Sequence, residues 1–244
     1  MRIRVQSHKP SNSAKALAEH LQIPRLSTSS SRFVGRPSDI IVNWGNVNTV
    51  HNSHYLNPLQ AVKNAANKVT TFKQLQEASI PVPTVHYSKS TLEADKTYFA
   101  RTNLFGHSGD GIEVGIPTEL PEAQLYTEFI KKKHEYRAIV VDDEVVDLKK
   151  KLKKRDFEGD RSPYVWNVAN GYIFARNDIE FPPTLPQLAI DATKALNLSY
   201  GAVDIIQDRN GNLYVLEINT AFGMTGETIS KVGDAIKKLI NKRI

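Results

Sequence analysis

The chain has 244 residues, 40% hydrophobic and 24% charged, which suits one larger or two smaller globular domains with a real core. It has no cysteine, which excludes disulfides, thiolate metal sites and cysteine nucleophiles. Its 32 Lys and Arg exceed 26 Asp and Glu by 6, and Lys149, Lys150, Lys151, Lys153, Lys154 and Arg155 account for that whole excess.

No apolar run approaches the ~20 residues of a membrane span, and Met1-Arg-Ile-Arg-Val-Gln6 goes straight into a strand-like pattern. With no other address in the sequence, the expected compartment is the cytoplasm. Residues 2–6 alternate as a strand does. Ala14, Leu17, Ala18 and Leu21 follow helical spacing after a Ser/Asn-rich start suited to capping. Asp39-Ile-Ile-Val-Asn43 reads as a buried parallel strand. Leu59, Val62, Ala66 and Val69 predict one helix, and Phe72, Leu75 and Ala78 another. Residues 1–80 thus read as a small open β–α–β–α domain. Ile80-Pro-Val-Pro-Thr84 forces extended chain and marks a boundary.

Beyond it, strands are expected at 97–101, 112–116, 125–130, 135–141 and 144–151, the last two joined by a turn at Asp142-Asp143. Residues 153–163 read as a polar loop. A helix over 184–196 carries Leu185, Leu188, Ala189, Ala192 and Leu196 on one face. A hairpin over 200–219 follows, then a final helix with Ile229, Val232, Ile236, Leu239 and Ile240.

The hairpin carries the sharpest chemistry. Asn210-Gly211 between two apolar runs predicts a two-residue type I′ turn. Counting outward puts Asp204 opposite Glu217, and period-two alternation puts Asn219 on the same face. Two opposed carboxylates repel, and unpaired charge in apolar strands is costly. Two carboxylates plus an amide oxygen suit a hard cation, Mg²⁺ above all. The competing reading is a pair of strand ends emerging into solvent.

Gly106-His-Ser-Gly-Asp-Gly111 sits between two strands with no helix after it, so it is neither a P-loop nor a dinucleotide fingerprint. A glycine-rich hairpin is either a plain turn or a flap whose bare amides close over phosphates, with His107 and Ser108 adding donors. Arg101, at the end of the preceding strand, aims a cation at the same region. The basic run at 149–155 is either a solvated loop or a contact surface for an acidic partner. It lacks the interleaved aromatics of a nucleic-acid stacking platform.

Together these pieces resemble the ATP-grasp superfamily, over about residues 65–244. Asn67-Lys68 with its helix and Ile80-Pro-Val-Pro-Thr84 resemble the entry to the nucleotide region. Tyr126-Thr-Glu-Phe-Ile130 resembles the hinge segment that meets adenine. Glu135-Tyr-Arg137 with the next hairpin, Asn167 and Gly171, and Gly201-Ala-Val-Asp204 with Leu216-Glu-Ile-Asn219 resemble the elements that follow. The nearest branch is similar to the ligase that adds glutamate to a ribosomal protein, with glutathione synthetase and D-Ala–D-Ala ligase further off.

The resemblance implies an α/β and α+β ATP-grasp fold: a small N-terminal open α/β domain at 1–80, then two α+β lobes clamping ATP, at 81–152 with the Gly-rich flap and 153–244 with the metal site. It implies a carboxylate–amine ligase that works through an acyl phosphate, on an amino acid or a peptide. Asp204, Glu217 and Asn219 would hold one or two Mg²⁺ ions, or Mn²⁺. Lys68 and Arg101 would bind the α- and β-phosphates under the flap of Gly106, His107, Ser108, Gly109 and Gly111. Glu128, Phe129 and Ile130 would lie along adenine, with Glu135 near the ribose; core packing explains Tyr126, Phe129 and Ile130 equally well. Arg137 and Lys150, beside Arg101, would stabilise the transferring phosphoryl group. The family's next basic position falls on Lys149 or Lys150. A two-residue turn at Asp142-Asp143 puts Glu135 opposite Lys150 and favours the latter. Two departures stand out: Arg101 replaces the family's lysine, and Ala221-Phe-Gly223 replaces its Ser-Pro-Gly. The rival readings are a phosphotransferase or regulatory nucleotide-binding protein, and a basic nucleic-acid-binding protein.

Overall fold

The computed structural model describes residues 1–26, 32–48, 51–105 and 110–243. The N-terminal unit contains β1 (Ile3–Ser7), α1 (Asn12–Leu21), β2 (Arg25–Leu26), β3 (Ile40–Trp44) and β4 (His54–Leu56). Its strands form a parallel sheet in the order β2-β1-β3-β4. The sequence pattern showed β1 and β3 only, because two- and three-residue strands are too short to display a period.

Two helices follow, α2 (Leu59–Ala66) and α3 (Lys68–Glu77). The expected helix through Val69 is broken at Asn67, whose side chain accepts hydrogen bonds from the Val69 and Thr70 amides and caps α3. The break sets Lys68 at the first position of α3.

A second, antiparallel sheet contains β5 (Val85–His86), β6 (Tyr98–Arg101), β7 (Ile112–Gly115) and β8 (Tyr126–Glu128), in the order β5-β8-β6-β7. The third is a five-stranded antiparallel sheet, β11-β10-β9-β12-β13. It is built from β9 (His134–Val141), β10 (Glu144–Lys153), β11 (Tyr172–Ala175), then, after α4 (Leu185–Ala195), β12 (Tyr200–Gln207) and β13 (Leu213–Asn219), with α5 (Glu227–Lys242) last. This sheet runs across the boundary expected at 152/153. The polar loop begins after Lys153, and β11 was not anticipated.

One face of the five-stranded sheet buries Tyr136, Ala138, Val140, Val203 and Ile205 against α4. On the other, Ile139, Val141, Tyr200 and Ala202 share a core with Val5, Ile40 and Trp44 of the N-terminal sheet and Val232 and Ile236 of α5. Trp44 and Tyr200 stack at 5.7 Å, and each large side chain buried here stabilises the fold by about 1.5–3 kcal/mol.

A buried polar clamp reinforces that junction. Asn57 accepts from the Ser199 and Tyr200 amides and donates to the Tyr200 carbonyl. Asn43 donates to the Asn57 carbonyl, and the Tyr200 hydroxyl donates to the Asn43 carbonyl at 2.6 Å. The N-terminal unit therefore fixes the start of β12, the strand that carries Asp204.

Candidate active site

Four charged residues stand in one row across the five-stranded sheet. Lys149 of β10 pairs with Arg137 of β9, Arg137 with Asp204 of β12, and Asp204 with Glu217 of β13. Arg137 donates to both Asp204 oxygens, Nε to Oδ1 and Nη2 to Oδ2, each at 2.7 Å. Burial alone would raise the Asp204 carboxyl; Arg137 and Lys151 outweigh it and hold it at about 2. Burial likewise works against the Arg137 charge, and Asp204 more than offsets it, so the guanidinium lies above its ordinary value.

The expected opposition of Asp204 and Glu217 is present, but by a different route. Strand pairing ends at Gln207 and Leu213, leaving a five-residue loop in which Asp208 accepts from the Asn210 and Asn212 amides. Gly211 has positive φ and Asn210 does not, so the turn is not type I′. The longer loop shifts the register by one, and a bulge at Leu216 shifts it back. Leu216 itself faces the cleft beside Glu217.

A second bulge overturns the expectation for Lys150. The two-residue turn at Asp142-Asp143 is present, but the register slips between Val145 and Asp147. Lys150 therefore opposes Tyr136 and lies over its ring, on the face away from Asp204. Lys149 points along the site face but away from the cleft, donating to Thr228 at 2.6 Å and pairing with Asp147. Lys151 meets Glu135 instead.

The cleft, counted with its open mouth, spans about 910 Å³. Lys68 enters it from the start of α3, Arg101 from the end of β6, Lys132 from the approach to β9, Glu135 from β9 and Lys151 from β10. Glu135, expected beside a ribose, is held between Lys132, at 2.6 Å, and Lys151. Arg101 is buried, and its Nε has no hydrogen-bond partner among the described residues. Burial lowers both Arg101 and Lys68, and Glu217 opposes that shift in each. An anion in the cleft would satisfy these groups.

Glu128, Phe129 and Ile130 line the cleft, together with Phe99 and Tyr164. The rings of Phe129 and Tyr164 meet edge-on at 5.4 Å. Arg137 is spent on Asp204 and does not line the cleft. Gly106, His107, Ser108 and Gly109 lie outside the described residues. Gly111, just before β7, has φ +67, and an added Cβ there would meet Asn103 at 2.5 Å. Sequence reading missed Lys132, Lys151 and Tyr164. Only the spacing of Lys132 three residues before Glu135 hinted at any of them.

Among the described residues, no group of three His, Cys, Asp or Glu side chains could hold a metal. Two carboxylates and an amide nonetheless fit Mg²⁺, which takes few protein ligands and completes its shell with water and phosphate oxygens. Each Asp204 oxygen keeps a lone pair beyond its bond to Arg137. Asn219 donates its amide N–H to Glu217 at 2.9 Å, so its carbonyl oxygen is the atom that would face a cation.

The RimK-like ATP-grasp domain matches residues 109–242. Tetrahydromethanopterin:alpha-L-glutamate ligase of Methanocaldococcus jannaschii is 30% identical over 221 residues, covering 79% of this chain and 72% of that protein. A probable alpha-L-glutamate ligase of Haemophilus influenzae is 28% identical over 69% of this chain, which spans 59% of that relative. Among solved structures, a RiPP-associated ATP-grasp ligase of Chryseobacterium gregarium, in complex with ADP and a leader and core peptide, aligns with a TM-score of 0.68 at 14% identity. The alignment covers 100% of this chain and 98% of that one. The ATP-grasp ligase PsnB, complexed with a precursor variant, Mg and ADP, aligns at 0.65 with 13% identity, over 97% of each chain.

The chain belongs to the RimK-like ATP-grasp family. It is an ATP-dependent ligase of the carboxylate–amine class, which forms carbon–nitrogen bonds. Among the described residues, no helix is long and apolar enough to cross a membrane.

Proposed function

We propose that the chain activates a substrate carboxylate as an acyl phosphate and joins it to an amine, with an amino acid or a peptide as substrate. What supports this most is the convergence of Lys68, Arg101 and Lys151, from three separate elements, on a cleft that also holds Asp204 and Glu217. Such a cleft neutralises a polyphosphate and fixes its γ-phosphorus.

In the first step a carboxylate oxygen attacks the γ-phosphorus and the bond to the β–γ bridging oxygen breaks, releasing ADP. In the second the amine nitrogen attacks the acyl carbon, the bond from that carbon to the phosphate oxygen breaks, and the amine loses a proton as inorganic phosphate leaves. Lys68 and Arg101 bind the α- and β-phosphates, and Lys132 and Lys151, held by Glu135, supply charge along the cleft. Glu128, Phe129 and Ile130 follow the adenine edge. Arg137 positions Asp204 and keeps it ionised. Asp204, Glu217 and Asn219 would hold one or two Mg²⁺ ions, or Mn²⁺, which when bound draw charge from the phosphate oxygens. The cytoplasm, where ATP is available, is the proposed setting.

The lysine-rich segment is not one basic surface, since Lys149 and Lys151 turn into ion pairs and only Lys153, Lys154 and Arg155 stay exposed. That weakens the reading of residues 149–155 as an acidic-partner or nucleic-acid surface. The test is a screen of amino acids and acidic peptides with Mg²⁺, following ADP formation and the mass of the product. ADP formed with only a hydroxyl acceptor would favour a phosphotransferase. No ADP with any pair, and no ATP-dependent thermal shift, would overturn the reading. Nucleic-acid binding that survives replacing Asp204 and Glu217 by Ala, without ATP binding, would replace it.

A further inference from the structure

Glu135 stands where the resemblance implies a sugar contact, yet its carboxylate is already engaged. Lys132 donates to Oε2 at 2.6 Å and Lys151 to Oε1, so each oxygen holds an ammonium. The Glu135 side chain is only 5% exposed, and the two lysines are 9% and 11% exposed. Freeing an oxygen for a neutral hydroxyl would leave an ammonium buried without its partner, which costs more than a hydroxyl contact returns. The lysines are tied down as well. Lys132 also donates to the Tyr164 carbonyl at 3.0 Å and lies 4.6 Å over the Trp166 ring, and Lys151 lies 5.5 Å over Phe174.

This clamp faces the phosphate end of the cleft. Glu135 opposes Ile206 on β12, one step along the same face from the pair of Arg137 and Asp204. Burial works against the charge on Lys151, but Asp204 and Glu135 outweigh it and hold the ammonium above its ordinary value. At Lys132 burial prevails, with Glu135 and Asp204 opposing it. Both ammoniums thus lie in the field of a carboxylate proposed to carry Mg²⁺.

The other acids that line the cleft are engaged too. Asp110 accepts from the Asn103 amide at 2.7 Å, Glu128 pairs with Lys96 at 3.4 Å, and Asp204 and Glu217 are the proposed metal ligands. A site built to bond a substrate hydroxyl rejects the analogue lacking it by orders of magnitude, because its own polar groups are left unpaired. Loss of the 2′-hydroxyl would leave Glu135 as fully paired as before.

We infer that Glu135 is a positioning residue for the phosphate-binding lysines and not a sugar contact, so that the cleft takes 2′-deoxyATP nearly as well as ATP. The inference rests on the ligase reading and specifies the nucleotide recognition of that same site.

Calorimetric titration of the whole chain with Mg²⁺, in the absence of a carboxylate substrate, tests this with ATP, 2′-deoxyATP and inorganic tripolyphosphate as probes. The unaltered protein is expected to bind 2′-deoxyATP within about threefold of ATP, and a larger penalty overturns the inference. Glu135→Gln should weaken all three probes alike, each by about tenfold, because two buried ammoniums then repel with no carboxylate between them. A loss confined to ATP, or no loss for tripolyphosphate, overturns the inference. The first comparison needs no variant, so it stands even where Glu135→Gln does not fold. Binding of ATP with a strong 2′-hydroxyl preference would leave the ligase reading standing; no binding of ATP or tripolyphosphate would remove both.

Discussion

Two regions of one sheet face use the same strands for opposite ends. At one end of β9 and β12, Ile139, Val141, Tyr200 and Ala202 are sealed under the N-terminal sheet and α5. Two residues further along, on the same face, stand Arg137 and Asp204, and beyond them Glu135. The apolar end gains stability from every methylene it removes from water. The charged end is held by pairing and gains little net stability, because desolvation offsets most of its Coulomb attraction. The sheet therefore lends the site a rigid frame from its apolar half, and the site presents charge where a nucleotide can use it.

Removing one partner tests that contrast most severely. Arg137→Ala leaves Asp204 ionised and buried and should cost about 3–5 kcal/mol of unfolding free energy, measured by denaturant titration. The double replacement Arg137→Met, Asp204→Leu should recover most of that loss while abolishing activity. Glu217→Gln touches chemistry rather than the frame. It should lower the rate of ADP formation by roughly 10²–10³ and leave the melting temperature of the nucleotide-free protein nearly unchanged.

The acid side of the pH profile reads the same pair. Asp204 is held at about 2 against an ordinary carboxyl of 3.8, so its stabilising contribution is complete above the unfolded value and fades as pH falls through the folded one. The expected loss is on the order of 2 kcal/mol between about pH 4 and pH 2, and Asp204→Asn should remove that segment of the profile. The smallest effect separates neighbours: Lys151→Met should weaken ATP binding about tenfold, and Lys150→Met should change it by less than about twofold.

The long elements and the order of the fold were legible because hydrophobic period survives in strands of five or more residues and in helices. Arg101 was legible as a cation at the end of a strand and Lys68 only through the family resemblance, since the pattern ran its helix through Val69; the structure brings both to the cleft. Bulges were not legible. The slip between Val145 and Asp147 has no marker in its apolar and acidic neighbours, and it moves the lysine that meets Glu135 from 150 to 151. The face of Asp204 came out correctly through two offsetting departures, a longer loop and the bulge at Leu216. Tyr164 could not be seen at all, since it reaches the cleft from an irregular segment whose path depends on the Lys132 hydrogen bond to its carbonyl.

The bulge at Leu216 has a consequence for how this hairpin can change over time. It lies between the loop and the carboxylates, so the spacing of the tip and the aim of Glu217 and Asn219 are set by separate parts of the strand. A substitution that restyles the turn at Asp208–Asn212 need not be transmitted to Glu217. One that irons out the bulge would rotate Glu217 and Asn219 toward α4 without altering either residue. The tip is thus free to drift, and Leu216 is the gear tooth that keeps it from turning the site.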